Sequence, residues 1–306
     1  MSTSAGTPAD AILAGPSSRP PTSSGGGART SGERAQETRR ALLRSKTFLV
    51  GALIVGWWIA DALLWRVIVP YDPQATNFAT SVSPNGITWF GTDDLGRDVF
   101  SRVLAGASSV LTVAPAATAI GLVAGTVIGL AAGYYRGYFD DVIMRVVDAF
   151  LAFPLVILAV LVLATFGAST INVIVVIGVV FTPLVARTVR SAVISEREAE
   201  YVAAARLRKE SGLYIMFAEI LPNVKGPILV EATIRFGYAI FTSATLSFLG
   251  LGIQQPSPDW GLTISLARAS IAVQPWVVVF PALALATLVV GINLLADGIR
   301  NALDEA

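Results

Sequence analysis

The sequence RTVRSAVISEREAEYVAAARLRKESGLYIMFAEILPN, residues 187–223, is a charged island between two long apolar blocks. Apolar segments of membrane-spanning length lie on both sides of it, which predicts that the island is an aqueous loop. Within it, the Ala-rich run 201–207 predicts a short helix that ends near Gly212, and a second amphipathic turn leads into Leu221, Pro222 and Asn223. Two compact helices held outside the bilayer would offer a docking surface.

The composition indicates an integral membrane protein. Hydrophobic residues make up 54% of the chain and charged residues only 14%, with a mean hydropathy of +0.67; a soluble domain would carry more charge. Cysteine and histidine are both absent, which excludes disulfides, thiol catalysis and histidine-based metal sites. The basic residues lie in loops rather than along one stripe, so we expect no nucleic-acid partner.

Two regions differ in composition. Residues 1–38 are rich in Ser, Thr, Gly and Pro and have too few large apolar groups to form a core, so we predict a disordered cytoplasmic tail. The tail lacks the basic start and apolar run of a signal peptide, and we expect it to stay on the chain. Residues 39–306 form the predicted transmembrane domain.

The predicted fold class is all-α integral membrane, with six transmembrane helices of roughly 20 apolar residues each. We place the spans at about 48–69, 108–132, 142–166, 170–189, 227–250 and 275–296, and the cytoplasmic loop at 190–226. We expect the second span to begin as an interfacial helix and to enter the bilayer near Ser109. The third and fourth spans would be hinged at residues 167–169.

The distribution of Lys and Arg predicts the orientation. Seven basic residues lie in or beside the fourth-to-fifth loop, and five lie between residues 34 and 46 just before the first span, whereas the opposite side carries Arg66, Arg97, Arg102 and Arg268. The positive-inside rule therefore places both termini and the charged island in the cytoplasm. Residues 70–102 and 254–261 would face outward.

Four glycines recur at every fourth position of the second span: Gly121, Gly125, Gly129 and Gly133. They leave one side of the helix without side chains, so another helix can approach closely. We favour ordinary tight packing over a gate as the reason for them.

Two pairs of ionisable residues lie in or beside the spans. Glu231 and Arg235 are one turn apart on the fifth span and can neutralise each other. Arg235 could contact substrate, or the two could form a structural pair near the cytoplasmic end, and both alternatives stay open. Arg145 and Asp148 open the third span and could pair at i,i+3, and we interpret them as structural residues.

No motif for an energy source occurs in the chain. It has no Gly-x-x-x-x-Gly-Lys-Ser/Thr phosphate loop, no reactive cluster, and not the several buried carboxylates expected of a proton-coupled pump. A transport pathway of this kind needs a separate protein that supplies the energy, and we expect that protein to bind the charged island.

The segment WFGTDDLGRDVFSR, residues 89–102, resembles a signature that precedes the second span in C-type membrane subunits of dipeptide, oligopeptide and nickel ABC importers. Further matches follow in order: AGY at 132–134, MRVVD at 144–148, LAFP at 151–154 and LSFLGLG at 246–252. The resemblance extends from about residue 48 to the C-terminus, and the ordered series is specific. The outer-face motif residues are Gly91, Thr92, Asp93, Gly96, Arg97 and Asp98. A purely structural loop that braces the helix ends is the alternative for Asp93, Arg97 and Asp98.

The charged island resembles the loop by which such permeases engage their ATPases. The candidate coupling residues are Glu200, Tyr201, Ala203, Ala204, Ala205, Arg206, Lys209, Gly212, Leu221 and Pro222. Three positions depart from the family pattern: Ala203 replaces Glu, Lys209 replaces Gly, and Glu219 replaces a common His. Because Lys disfavours a left-handed turn, we expect the break to move to Gly212. Ser243 stands where the family tends to have an acidic residue in the fifth span.

The resemblance implies a type I ABC importer permease fold and a non-catalytic subunit, in the cell membrane, of an ATP-driven importer of di- or oligopeptides. It implies a second, B-type permease, two nucleotide-binding ATPase domains and an extracytoplasmic binding protein as partners, besides membrane lipid. ATP and Mg²⁺ would bind the ATPase subunits, and this chain would hold no cofactor or metal. Nickel or another small solute is the alternative cargo.

Two rival classes predict different sequence features. A self-sufficient secondary transporter would show an internal repeat with broken helices in both halves, and we find no clear repeat. A membrane enzyme or assembly scaffold would need a reactive cluster near one interface, and none is apparent.

Overall fold

The computed structural model describes residues 42–304, and the predicted tail 1–38 lies outside the described residues. The described part is helical, with one isolated β-bridge between Thr92 and Asp98. The helices are α1 Lys46–Ile68, α2 Val99–Tyr135, α3 Gly137–Leu151, α4 Leu155–Phe166, α5 Thr170–Glu196, α6 Glu200–Leu207, α7 Gly212–Asn223, α8 Lys225–Phe248, α9 Trp260–Ala267 and α10 Trp276–Asp304. Residues 215–220 in the middle of α7 are π-helical.

Four helices of the described chain are long and apolar enough to cross a membrane by themselves: α1, α2, α5 and α10. Two bent pairs, α3 with α4 and α7 with α8, raise the total to six if each pair is one span. Residues 42–304 therefore contain between four and six candidate spans.

The helices that contain the predicted second and fourth spans are longer than the spans. α2 is one continuous helix of 37 residues, roughly 55 Å long at about 1.5 Å per residue, so the stretch before Ser109 is not a separate interfacial helix. α5 continues from the predicted hinge, where Gly167 has a φ of +87°, and ends at Glu196, beyond the predicted end of the span. Both helices are therefore long enough to extend past the hydrocarbon.

The predicted third span, 142–166, is not one helix. α3 and α4 meet at an angle of 83° across residues 152–154. Pro154 precedes α4, and because a proline disfavours helical backbone in the residue before it, α3 ends before this point. α3 is strongly amphipathic, whereas α4 is apolar throughout.

The four glycines of α2 pack against α5. A β-carbon at Gly129 would lie 2.7 Å from the carbonyl oxygen of Ala186 and 2.8 Å from the β-carbon of Val189. Gly121, Gly125 and Gly133 have equally close neighbours on α5, among them Phe181, Val185 and Val193. The backbones of α2 and α5 thus touch over four turns, as expected for a stripe of small residues in a membrane helix.

A second close crossing joins α1 to α10, the two ends of the described chain. A β-carbon at Gly51 would lie 2.5 Å from the backbone nitrogen of Leu295, and one at Gly291 would lie 2.6 Å from the side chain of Ile54. Trp58 of α1 contacts the ring of Trp260 edge-on at 5.0 Å and donates from Nε1 to Thr287 Oγ1 at 3.2 Å. These contacts hold the first helix onto the bundle.

We predict that Gly129→Ala lowers stability, because the added methyl group must push α5 away; such overpacking costs about 1–3 kcal/mol. Thermal unfolding of the purified protein measures the effect. Gly56→Ala is the matched control, since a β-carbon at Gly56 on α1 meets no atom within 4 Å. Equal melting temperatures for the two variants would contradict the close α2–α5 contact.

Candidate functional site

The charged island folds as a compact hairpin of two helices, α6 and α7, which we call the α6–α7 segment (200–223). α6 buries Val202 and Ala205, and α7 buries Ile215, Met216 and Ile220. These side chains form one apolar cluster with Leu130 of α2 and three valines of α5. Burial of this cluster fixes the segment to the ends of α2 and α5 rather than leaving it as a flexible loop.

The turn between the two helices is made at Lys209 and not at Gly212, contrary to the expectation from the sequence. Lys209 has a φ of +60°. Its N–H donates to the carbonyl of Arg206 at 2.9 Å, and the N–H of Glu210 donates to the carbonyl of Ala205 at 3.2 Å, which is the Schellman arrangement that ends many helices. Two hydrogen bonds to otherwise unsatisfied carbonyls offset the left-handed conformation of a lysine.

Gly212 has a different role, at the start of α7. Ser211 caps this helix and accepts a hydrogen bond from the N–H of Tyr214 at 3.2 Å. A β-carbon at Gly212 would lie 3.1 Å from Tyr135 Oη and 3.2 Å from the ring of Tyr134. The absent side chain therefore lets the start of α7 pack on the last turn of α2.

Side-chain bonds hold the segment in shape. Tyr201 donates to Glu196 Oε1 at 2.8 Å, and burial, with this bond to a carboxylate, raises the pKa of Tyr201 to about 12. Arg208 after α6 pairs with Glu219 of α7 at 3.0 Å. Glu219, one of the departures from the family pattern, therefore links the two helices of the hairpin. Arg206 lies 5.7 Å above the ring of Tyr134.

Several apolar side chains of the α6–α7 segment are exposed. Leu207 is 85% exposed and Leu213 is 63% exposed, and Tyr214 and Phe217 are nearly half exposed. Ala203, Ala204 and Glu200 are also exposed, as is Pro222 near the end of α7, while Leu221 is half-buried. Several exposed apolar side chains on one compact hairpin are typical of a protein interaction surface.

Two ion pairs join α3 to α5, and neither is the predicted pair. Asp148 pairs with Arg187 of α5 rather than with Arg145, so the possible i,i+3 pair on α3 does not form. Asp140, which is buried, accepts from Arg190 Nε and Nη2, both at 2.5 Å. Cross-helix pairs of this kind could not be read from the spacing within α3, because their arginines come about 40 to 50 residues later.

The outer-face motif is a folded loop with buried charges. Asp93 accepts from Arg97 Nε at 2.6 Å and from the backbone N–H of Arg97 at 2.9 Å, and Asp98 caps α2 by accepting from the N–H of Ser101. Thr92 Oγ1 donates to the carbonyl of Ala79 at 2.7 Å. Gly91 and Gly96, both at a φ of +75°, supply the left-handed turns.

Arg102 extends this loop to the other outer segment, a role that the sequence motif did not reveal. It is 1% exposed and donates to the carbonyl oxygens of Pro73 and Ser257 at 3.2 and 3.4 Å. The charges of the motif thus bind one another and the neighbouring loops, which favours the structural alternative for Asp93, Arg97 and Asp98.

Glu231 and Arg235 form an ion pair on α8, with 2.6 Å between Glu231 Oε1 and Arg235 Nε. Thr188 of α5 lies 3.4 Å from the second carboxylate oxygen. Ser243, further along the same helix, is 1% exposed, and its hydroxyl has no hydrogen-bond partner among residues 42–304.

Comparison with known proteins assigns the family. Residues 125–306 match the family described as binding-protein-dependent transport system inner membrane component. The chain belongs to this family. It is 40% identical over 270 residues to the dipeptide transport system permease protein DppC of Alkalihalophilus pseudofirmus, covering 88% of this chain and 89% of that protein.

Other permeases of the family are similarly close. The glutathione transport system permease protein GsiD of Pectobacterium atrosepticum is 38% identical, with coverage of 88% and 90%, and that of Escherichia coli O6:K15:H31 is 41% identical, with coverage of 87% and 88%. Among solved structures, an inward-facing MetNI methionine ABC transporter matches with a TM-score of 0.55 at 20% identity, covering 66% of this chain and 95% of the other. This likeness extends to the fold of an ABC importer permease.

We predict that Arg97→Met destabilises the protein by about 3 kcal/mol, because it removes one partner of a buried ion pair. Asp94→Asn, a change at the exposed neighbouring carboxylate, is the control and should shift stability by less than about 0.5 kcal/mol. Chemical denaturation of the purified protein measures both. If Arg97→Met were as stable as the control, the motif would not hold the outer loop together.

Proposed function

We propose that this permease is half of the translocation pathway of an ATP-driven, binding-protein-dependent importer of peptides. The observation that carries the proposal is the α6–α7 segment, a rigid hairpin with exposed Leu207 and Leu213, fixed to the ends of α2 and α5. The relatives named for dipeptide and glutathione transport support peptides as the cargo.

In this proposal the segment is the handle by which two separate nucleotide-binding domains move the bundle. Ala203 and Ala204 are small and exposed, so the first turns of α6 can enter a groove on an ATPase without a steric clash. Because Val202, Ala205 and Ile220 bury their side chains against α2 and α5, a displacement of the hairpin moves these helices with it. ATP and Mg²⁺ bind the ATPase domains, and a second, B-type permease completes the pathway.

Six crossings with both termini in the cytoplasm fit this mechanism. The α3–α4 and α7–α8 pairs then each count as one span, and the α6–α7 segment lies on the cytoplasmic side together with the basic residues around it. The loops that contain Asp93 and Ser257 face outward, where an extracytoplasmic binding protein delivers cargo. Loaded binding protein and ATP drive transport by favouring different conformations of the bundle.

We expect Ala204→Asp to abolish most transport-linked ATPase activity, because the new carboxylate would be desolvated where α6 enters the ATPase groove. The measurement is binding-protein-stimulated ATP hydrolysis by the complex in proteoliposomes, with co-purification of the ATPase. Ala79→Asp is the control, because it adds the same charge at an exposed position of the outer loop. Full stimulation in Ala204→Asp would show that docking occurs elsewhere.

The orientation can be tested by cysteine labelling, since the natural chain has no cysteine. We expect Ser211→Cys to react with a membrane-impermeant maleimide only after cells are permeabilised. Thr76→Cys, at an exposed position of the outer loop, should react in intact cells. Labelling of Ser211→Cys in intact cells would place the α6–α7 segment outside and would refute the proposed coupling.

A further inference from the structure

The ion pair of α8 lies deep in its helix rather than at the end. Arg235 is ten residues after Lys225 in a helix of 24 residues, which places it roughly 15 Å along the axis at about 1.5 Å per residue. If α8 is a span, this is close to the middle of a hydrocarbon layer about 30 Å thick. A charge at that depth faces a wet cavity or a polar partner, because exposure to lipid is costly.

Glu231 is already satisfied within the chain. One carboxylate oxygen accepts from Arg235 Nε at 2.6 Å, and the other lies 3.4 Å from Thr188 Oγ1. Its side chain is 8% exposed, against 16% for that of Arg235. The acid is therefore the inner member of the pair and the guanidinium is the outer member.

Two aromatic rings hold the guanidinium in place. Arg235 Cζ lies 5.8 Å from the ring centroid of Phe181 on α5 and 5.4 Å from that of Tyr238 on its own helix. Within residues 42–304, Nη1 and Nη2 of Arg235 donate no hydrogen bond. Tyr238 is more than half exposed, so the guanidinium of Arg235 adjoins an exposed aromatic ring.

This geometry suits a carboxylate. Two parallel N–H groups match two carboxylate oxygens, and the ion pair through Nε and the aromatic contacts limit the freedom that Arg235 loses on binding. We propose that Arg235 binds the free carboxylate of the permeating cargo at mid-span, with Tyr238 beside it. The proposal rests on the proposed function and narrows the cargo to peptides with a free C-terminal carboxylate.

Glu231 has a separate part in this site. A lone arginine in a site of low dielectric would hold an anion tightly, whereas conduction needs binding weak enough for release. Glu231 offsets part of the charge of Arg235. A cavity of about 730 Å³ lies elsewhere, near the outer loops, but one of about 470 Å³ reaches Glu231 and is lined also by Thr188 and by Arg300 of α10. On α8 this cavity is lined by residues between Gly226 and Ile234, in the half of the helix that begins at Lys225.

The test uses the assembled transporter in nanodiscs and two probe peptides, acetyl-Ala-Ala and its C-terminal amide. Saturation-transfer NMR measures their binding to the complex without the binding protein. We expect the acid to bind the natural complex about tenfold more tightly than the amide, the value of one charge-assisted contact. The double variant Glu231→Gln, Arg235→Gln removes both charges, so no unpaired charge stays buried, and it should bind the two peptides equally.

Glu231→Gln alone is the matched control, which keeps Arg235 and should retain or increase the preference for the acid. Equal binding of both peptides by the natural complex would overturn the proposal, and so would an unchanged preference in the double variant. Loss of the second permease from the double variant would also overturn it, because Arg235 would then pair with an acid of that subunit. Failure of the proposed function can be distinguished from failure of the Arg235 proposal. If the proposed function is wrong, the natural complex shows no ATP-driven uptake.

Discussion

The backbone contact between α2 and α5 is the constraint on which the rest of the structure depends. Four glycines of α2 bring the two helices so close that no β-carbon fits between them. Interfaces between membrane helices gain little from the hydrophobic effect, and close packing takes its place. α5 continues almost directly into α6, and the last turn of α2 packs against Gly212 of α7. The position of the α6–α7 segment is therefore fixed by the α2–α5 pair.

The charged side chains have different roles at different places in the fold. At the outer end, Asp93, Arg97 and Arg102 bind one another and loop carbonyls, so their charges serve the shape of the loop. At the junction of α3 and α5, Asp140 and Arg190 connect helices that are distant in sequence. Arg235 differs from these in its position, because it lies ten residues into α8 rather than in an outer loop or near the end of α5, and this position makes it a candidate binding residue.

Much of the architecture could be predicted from apolar length and glycine spacing. Local patterns place α1, α8 and the short helix at 201–207 within a few residues of their observed bounds, and the stripe of Gly121 to Gly133 predicts a close helix contact. The break between α3 and α4 was missed, since apolar residues continue through it and hide the effect of Pro154. The turn at Lys209 was missed because the two hydrogen bonds that stabilise it are a property of the folded hairpin. The partners of Asp148 and Asp140 depend on tertiary packing, which no spacing within α3 encodes.

The exposed leucines of the α6–α7 segment also bear on how the subunit is made. Leu207 and Leu213 are exposed in the isolated chain, and the hairpin that presents them is already folded. A subunit synthesised in excess of its partners would therefore expose this apolar surface. Chaperones and proteases recognise exposed apolar surface of this kind. Balanced production of the subunits follows as a requirement of the same surface that we propose as the docking site for the ATPase.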